Sequence, residues 1–171
     1  QALFDAGHAA EAAARPIAEK IIGGDLYPIV ASLEVDGLPL SASYDGATMD
    51  EEVIFEHKFL NKTIVSAMGN KEVPEEYRAQ LEQELLIIGA TRCLFMASNG
   101  TEASAIWCWV ESDPAMRARI IAGWKQFMVD LDAYQHVETA QPAVPAPVLD
   151  LPAVSVQVSG SIAIVDNFKL F

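Results

Sequence analysis

The dipeptide Asp36-Gly37 constrains this chain more than any other feature. It sits between two runs of alternating character, Tyr27 to Val35 and Leu38 to Tyr44. Asp-Gly supplies the two positive-φ residues of a hairpin turn whose twist matches that of paired strands. The two runs are therefore expected to pair antiparallel. A third alternating run, Val53 to Phe59, follows a polar turn at Gly46 to Glu52. On either side the periodicity becomes helical. In Leu3 to Ile22, residues Phe4, His8, Glu11, Arg15 and Ala18 recur at spacings of three and four; Pro16 interrupts this helix and Gly23-Gly24 ends it. Asn61 to Val73 reads as a loop. Pro74-Glu75-Glu76 opens a second helix that runs to about Ile88 and stops at Gly89. Two apolar runs, Arg92 to Ala97 and Ser104 to Val110, flank a turn at Ser98-Asn99-Gly100. Asp113-Pro114 starts a third helix. Its Met116, Ile120, Ile121, Trp124, Phe127, Met128 and Leu131 form one stripe, expected to be core packing. Helix, three strands, helix, two strands, helix predicts an α/β fold, a mixed central β-sheet flanked by helices.

The chain has 171 residues, room for one core domain, expected over residues 1–135. Gln141 to Pro152 holds four prolines and no glycine, so residues 136–153 read as a stiff extended linker. Val154 to Val165 alternates around Ser159-Gly160, the start of a C-terminal extension or second module over 154–171. Gln1 is not an initiator and the last residues read as a strand leading onward, so the chain is expected to be a fragment with N-terminal sequence missing. A composition of 51% apolar and 20% charged residues excludes a disordered chain. No apolar run approaches the ~18–20 residues of a membrane span, and the start lacks a signal-peptide pattern. Cys93 and Cys108 each lie in an apolar run, which predicts buried free thiols in a reducing compartment and hence a cytoplasmic protein. A net charge of −13 opposes nucleic-acid binding, which favours a basic face. Bulk repulsion is nevertheless screened beyond ~8–10 Å at physiological salt, and a bound divalent metal reverses the local sign.

The stretch with chemical content is Ser43-Tyr44-Asp45-Gly46, followed eleven residues after the aspartate by Glu56-His57-Lys58. Strand alternation puts Glu56 and Lys58 on one face and His57 on the other. A hairpin-like return can bring Asp45 beside Glu56. Phosphodiester hydrolysis needs such a set, because two carboxylates hold Mg²⁺ and a lysine steadies developing charge or orients the attacking water. Without a metal, two carboxylates ~4 Å apart repel by about 4 kcal/mol at an effective dielectric of ~20. Taken alone, Glu-x-Lys describes equally well an amphipathic strand with a solvent-facing ion pair.

Ser-Tyr-Asp-Gly followed by Glu-His-Lys is similar to the SPDG…E-x-K signature of the lambda-exonuclease (YqaJ-like) family of phage recombination nucleases. Val73-Pro74-Glu75-Glu76-Tyr77-Arg78-Ala79-Gln80-Leu81-Glu82-Gln83 resembles that family's Y-x-x-Q-x-Q helix. Gly7-His8-Ala9-Ala10-Glu11-Ala12-Ala13-Ala14-Arg15 resembles its helical G-x-x-x-E segment. The three blocks stand in family order, over about Leu3 to Tyr134. The resemblance implies a restriction-endonuclease-like PD-(D/E)xK core and a Mg²⁺-dependent deoxyribonuclease, with Mn²⁺ as a substitute metal. It implies 5′→3′ exonuclease action on double-stranded DNA ends in phage-type recombination. Partners would be a single-strand annealing protein and further copies of the chain in a homotrimer, with no membrane. Asp45 and Glu56 would ligate the metal directly, His57 through its backbone carbonyl and Glu11 through a water. Lys58 would be the catalytic lysine. Gln80 would face the attacking water or Lys58, with Tyr77 packing at the same place. Tyr44 replaces the family's proline and Glu82 its second glutamine, which weakens any role for the latter. An endonuclease on the same core is the nearest alternative. A Cas4-like nuclease is another, although such proteins usually carry four cluster cysteines and this chain has two. A non-catalytic phage interaction domain is the third.

Other polar and aromatic residues carry plainer expectations. Asp50-Glu51-Glu52 reads as a solvated turn, His8 as helix surface one turn before Glu11, and His136 as exposed at a helix end. Trp107 and Trp109 share a strand face and are expected to pack. Lys62, Lys71, Arg78 and Arg92 are candidate phosphate contacts.

Overall fold

The computed structural model describes residues 2–69 and 72–134, the first four by backbone alone. The expected linker and C-terminal extension, His136 and Lys71 lie outside the described residues. The elements are α1 (Ala2–Ile22), β1 (Tyr27–Val35), β2 (Leu38–Ala47), β3 (Val53–Phe59), α2 (Lys62–Met68), α3 (Glu75–Ile88), β4 (Arg92–Ser98), β5 (Ile106–Glu111) and α4 (Pro114–Ala133). A single 3₁₀ turn at Glu102–Ser104 joins β4 to β5.

The local signals explain most of these boundaries. Asp36 and Gly37 take φ of 54° and 79°, and Val35 pairs with Leu38 across them. Gly89 closes α3 at φ 82°, a conformation open to a residue without a Cβ. Asp113 accepts the amide hydrogens of Ala115 and Met116 and so caps α4. Pro16 stays inside α1 because it and Ala12 are both exposed, so the carbonyl that proline leaves unpaired meets water.

Two expectations are corrected. Residues 62–68 are a helix and not loop: the Asn61 side chain accepts the Ile64 amide at 2.9 Å and starts a turn too short for periodicity to reveal. The apolar stripe of α4 is not core. No residue of α4 is buried, and Trp124, Phe127, Met128 and Leu131 are exposed. Of its stripe, Ile121 packs against the cluster of Leu38, Leu40 and Ile87. A stripe shows that one face is apolar; it does not show that the fold supplies a cover.

The sheet is mixed, in the order β1-β2-β3-β4-β5. All neighbours are antiparallel except β3 and β4, which are parallel and joined through α2 and α3. Ala14, Ala18 and Leu26 meet Phe55, Leu94 and Met96 on one face, beneath α1. Tyr44, Ile54, Cys93 and Phe95 meet Ile64, Leu81 and Leu85 on the other, beneath α2 and α3. Full burial of each large side chain contributes ~1.5–3 kcal/mol.

Strand β2 is irregular opposite Pro28. Tyr27 pairs with Ala47 and Ile29 with Tyr44, so Asp45 and Gly46 together oppose Pro28 alone. This is a β-bulge, and Pro28 suits it because it has no N–H to contribute to a ladder. Gly46 is also closely approached: a Cβ there would lie 3.0 Å from Leu26 Cβ. Beyond Gly46–Phe55 and Ala47–Ile54, β2 and β3 part.

Candidate active site

The gap between β2 and β3 collects the residues singled out by the sequence. Where the strands separate, the His57 N–H loses a strand partner, and the Asp45 carboxylate takes its place through Oδ2 at 2.7 Å. Alternation along β3 sends Phe55 and His57 towards α1 and Glu56 and Lys58 towards α3. Lys58 Nζ lies 2.6 Å from Glu56 Oε1. Gln80, from the exposed rim of α3, donates from Nε2 to the same Glu56 oxygen at 2.8 Å. Tyr77, one turn earlier on α3, puts its ring 5.2 Å beneath the Lys58 ammonium and packs against Phe95. From the α1 side, the Arg15 guanidinium donates to the Asp45 carbonyl at 2.9 Å and to Glu11 at 3.2 Å. Asp45, Glu56, Lys58, Gln80 and Glu11 are thus gathered by two helices and two strands. His57 contributes its backbone; its buried imidazole is hydrogen-bonded to Ser98 at 2.8 Å. Burial, helped by the Lys58 charge, pulls that imidazole down to about 4 and keeps it neutral.

The electrostatics reveal crowding of negative charge. Burial pushes the Glu56 carboxyl up, and Asp45 pushes it further against the pull of Lys58 and Gln80. Glu11 is raised by burial and then by Asp45. Asp45 is raised by burial, in spite of the His57 N–H and the Lys58 and Arg15 charges. Burial alone would lower the Lys58 ammonium, but Glu56, Asp45 and Glu84 outweigh it and hold the charge on. Asp45 Oδ1 and Glu56 Oε2 take part in none of these hydrogen bonds. The donor set is oxygen throughout, which suits a hard cation such as Mg²⁺. No three acidic, His or Cys side chains among the described residues form a complete cage. Mg²⁺ does not require one, since it keeps several waters and is bound by one or two carboxylates. The residues therefore fit the metal.

Sequence reasoning missed Glu84. This side chain is 5% exposed, and its Oε1 accepts a second hydrogen bond from Gln80 Nε2 at 2.7 Å. Its Oε2 is buried with no hydrogen-bond partner. Burial, then the Glu56 charge, pushes the carboxyl up to about 8. The i,i+4 spacing from Gln80 was its available signal. Glu82, in the place of the family's second glutamine, points elsewhere: it takes Ser112, the Asp113 amide and Arg117, and fastens the start of α4. Tyr44, in the place of the family's proline, is buried and donates its hydroxyl to the Glu84 carbonyl at 2.8 Å.

The remaining candidates are dispersed. His8 and the turn at Asp50-Glu51-Glu52 are exposed, as expected. Arg92 stacks over Trp109 at 4.2 Å and Arg78 pairs with Glu75 at 3.2 Å. Trp109 packs beside the α1 cluster, whereas Trp107 is exposed. Lys62 is exposed at the start of α2. Both cysteines are free and buried. A concavity of about 530 Å³ lies between the end of α1 and the β2–β3 turn, lined by Gly23, Asp25, Asp50 and Arg92, and includes none of the clustered residues. No helix among the described residues is long and apolar enough to cross a membrane.

Neither the known protein-family models nor the curated protein sequences give a match to this chain. Solved structures do. The alkaline exonuclease LHK-Exo from Laribacter hongkongensis superposes with a TM-score of 0.65 at 21% identity, over 76% of this chain and 69% of that one. LHK-Exo in complex with dAMP gives 0.61 at 22% identity, over 78% and 70%. The fold of this chain, a mixed five-stranded sheet flanked by helices, is the fold of that exonuclease.

Proposed function

We propose that this chain is a metal-dependent deoxyribonuclease that hydrolyses phosphodiester bonds of double-stranded DNA, acting from ends. One observation carries the reading: Glu56, Lys58 and Gln80 are hydrogen-bonded together at the parting of two strands, with Asp45 on the adjacent amide. A solvent-facing ion pair, the plain alternative for Glu-x-Lys, does not account for a Glu56 only 4% exposed. The shared fold with an alkaline exonuclease supports the same class of chemistry.

Asp45 and Glu56 would hold Mg²⁺ together with the His57 carbonyl, and Glu11 would reach it through water. The metal, when bound, supplies charge neutralisation at the scissile phosphate and a more acidic water. Lys58 keeps a full positive charge beside Glu56 and stabilises negative charge that develops on the phosphate oxygens. Gln80 orients the attacking water through its amide. Tyr77 and Glu56 restrain Lys58, so its ammonium is in place before substrate arrives. Cleavage from 5′ ends, hand-over to a single-strand annealing protein and assembly of several copies around DNA complete the proposal. In such a ring the wall facing DNA can be locally positive while the exterior remains acidic.

Incubation with linear and circular duplex DNA, with and without Mg²⁺, tests the reading. Linear DNA should be lost only with metal, and closed circles should persist. Lys58→Ala and Glu56→Ala should each lower the rate about 10³-fold or more with an unchanged thermal unfolding profile. Near-normal activity in either variant ends the site assignment. Titration calorimetry should show Mn²⁺ binding that Asp45→Ala greatly weakens.

A further inference from the structure

We infer that Glu84 is a positioning residue that fixes which end of the Gln80 amide faces the reacting water. Its kinetic consequence rests on the nuclease reading; its structural consequence does not. Gln80 Nε2 carries two hydrogens. One goes to Glu56 Oε1 at 2.8 Å and the other to Glu84 Oε1 at 2.7 Å. Both donors are thereby spent on carboxyl oxygens, and Gln80 Oε1 is the end left free. A flipped amide would set its carbonyl oxygen against Glu56 Oε1, an acceptor held by Lys58, and would keep at most the bond to a protonated Glu84. With Glu56 alone, the amide could still rotate about that single bond. Glu84 removes this freedom.

Glu84 is tied to the sheet beneath it. It lies one helical turn from Gln80 on α3, and its own carbonyl accepts the buried Tyr44 hydroxyl at 2.8 Å. A line of contacts thus runs from β2 through Tyr44, Glu84 and Gln80 to Glu56 on β3. With its carboxyl raised to about 8, Glu84 is mostly protonated at neutral pH. It then accepts through Oε1 without adding charge next to Glu56. A buried Oε2 without a partner is destabilising, a penalty that an apolar side chain at this position would avoid. Holding the amide is a reason to keep the carboxyl.

Two variants separate positioning from simple packing. Glu84→Leu keeps volume and removes the acceptor; Glu84→Gln keeps an acceptor oxygen. Glu84→Leu should lower kcat about 10-fold with KM for linear DNA unchanged, and Glu84→Gln should restore most of the rate. In the Gln80→Ala background, Glu84→Leu should add less than about 2-fold. Equal losses in both backgrounds, or a wild-type kcat in Glu84→Leu, would overturn the inference. A second readout needs no activity. In ¹⁵N-labelled protein, the Gln80 carboxamide protons, assigned by their loss in Gln80→Ala, should shift and exchange faster in Glu84→Leu. An unchanged carboxamide overturns the inference directly. A protein that shows the shift yet hydrolyses no DNA would sink the nuclease reading and leave the hold of Glu84 on Gln80 standing.

Discussion

Helices α3 and α4 invert the usual relation between sequence and burial. α3 is rich in acids and glutamines, yet it buries Glu82 and Glu84. α4 carries Trp124, Phe127, Met128 and Leu131, yet it buries nothing. The difference lies in what faces each helix. Each buried acid of α3 meets a donor: Glu82 meets Arg117 and the Asp113 amide, and Glu84 meets Gln80. The second half of α4 is held by polar contacts, Trp124 to Gln83 and Lys125 to Asp36, while its apolar side chains only border a groove beside Leu38 and Pro39. Burial is thus decided by complementary partners, and apolar character alone does not secure it.

The contrast can be broken most forcefully at Glu82. Glu82→Ala removes the carboxylate that accepts from the Arg117 guanidinium and the Asp113 amide, and leaves Arg117 its bond to Ser112. Because Arg117 is partly exposed, the loss should be about 3 kcal/mol in urea unfolding, the low end for a broken buried pair. A loss below about 1 kcal/mol would mean that the acid is tolerated and does not fasten the two helices.

The effect expected at Glu84 depends on pH. The carboxyl titrates near 4.5 when unfolded and near 8 when folded, so the folded state binds more protons between these values. Its contribution is full below pH 4.5 and is lost as pH rises through 8. Between pH 5 and pH 9, without divalent metal, wild type should lose more stability than Glu84→Gln. The neutral His57 affects both proteins alike and cancels. Parallel losses would show that Glu84 does not hold a proton in the folded state.

The smallest effect should come from α4. Phe127→Ser and Leu131→Ser remove exposed apolar groups and should each change stability by no more than about 0.5 kcal/mol. A loss of 2 kcal/mol from either would reveal a cover for this face and erase the contrast between the helices.

Much of the fold was legible because its signals are local. Asp36-Gly37, the bounds of β3 and the Pro74 and Gly89 limits of α3 all follow from turn chemistry and alternation. The pairing of Glu56 with Lys58 was legible for the same reason, since strand parity depends only on sequence spacing. Glu84 was not, because a glutamate on a helix ordinarily faces water, and only the sheet beneath α3 makes it buried. α2 escaped because seven residues hold too little periodicity to separate from a loop. The stripe of α4 misled because tertiary cover has no signature in the helix that lacks it.

The bulge at Asp45 and Gly46 settles a conflict of odd and even positions in β2. Core-facing side chains in a regular strand share one parity, but Tyr44 and Ala47, which both enter the core beneath α3, do not. The additional residue resets the count between them, so the strand keeps an unbroken apolar lining and still presents a carboxylate at its parting from β3. Chemistry here is obtained by an insertion in register and not by a sacrifice of packing. A one-residue deletion at this point would therefore cost the acid and the lining together, whereas substitution of Asp45 would cost the acid alone.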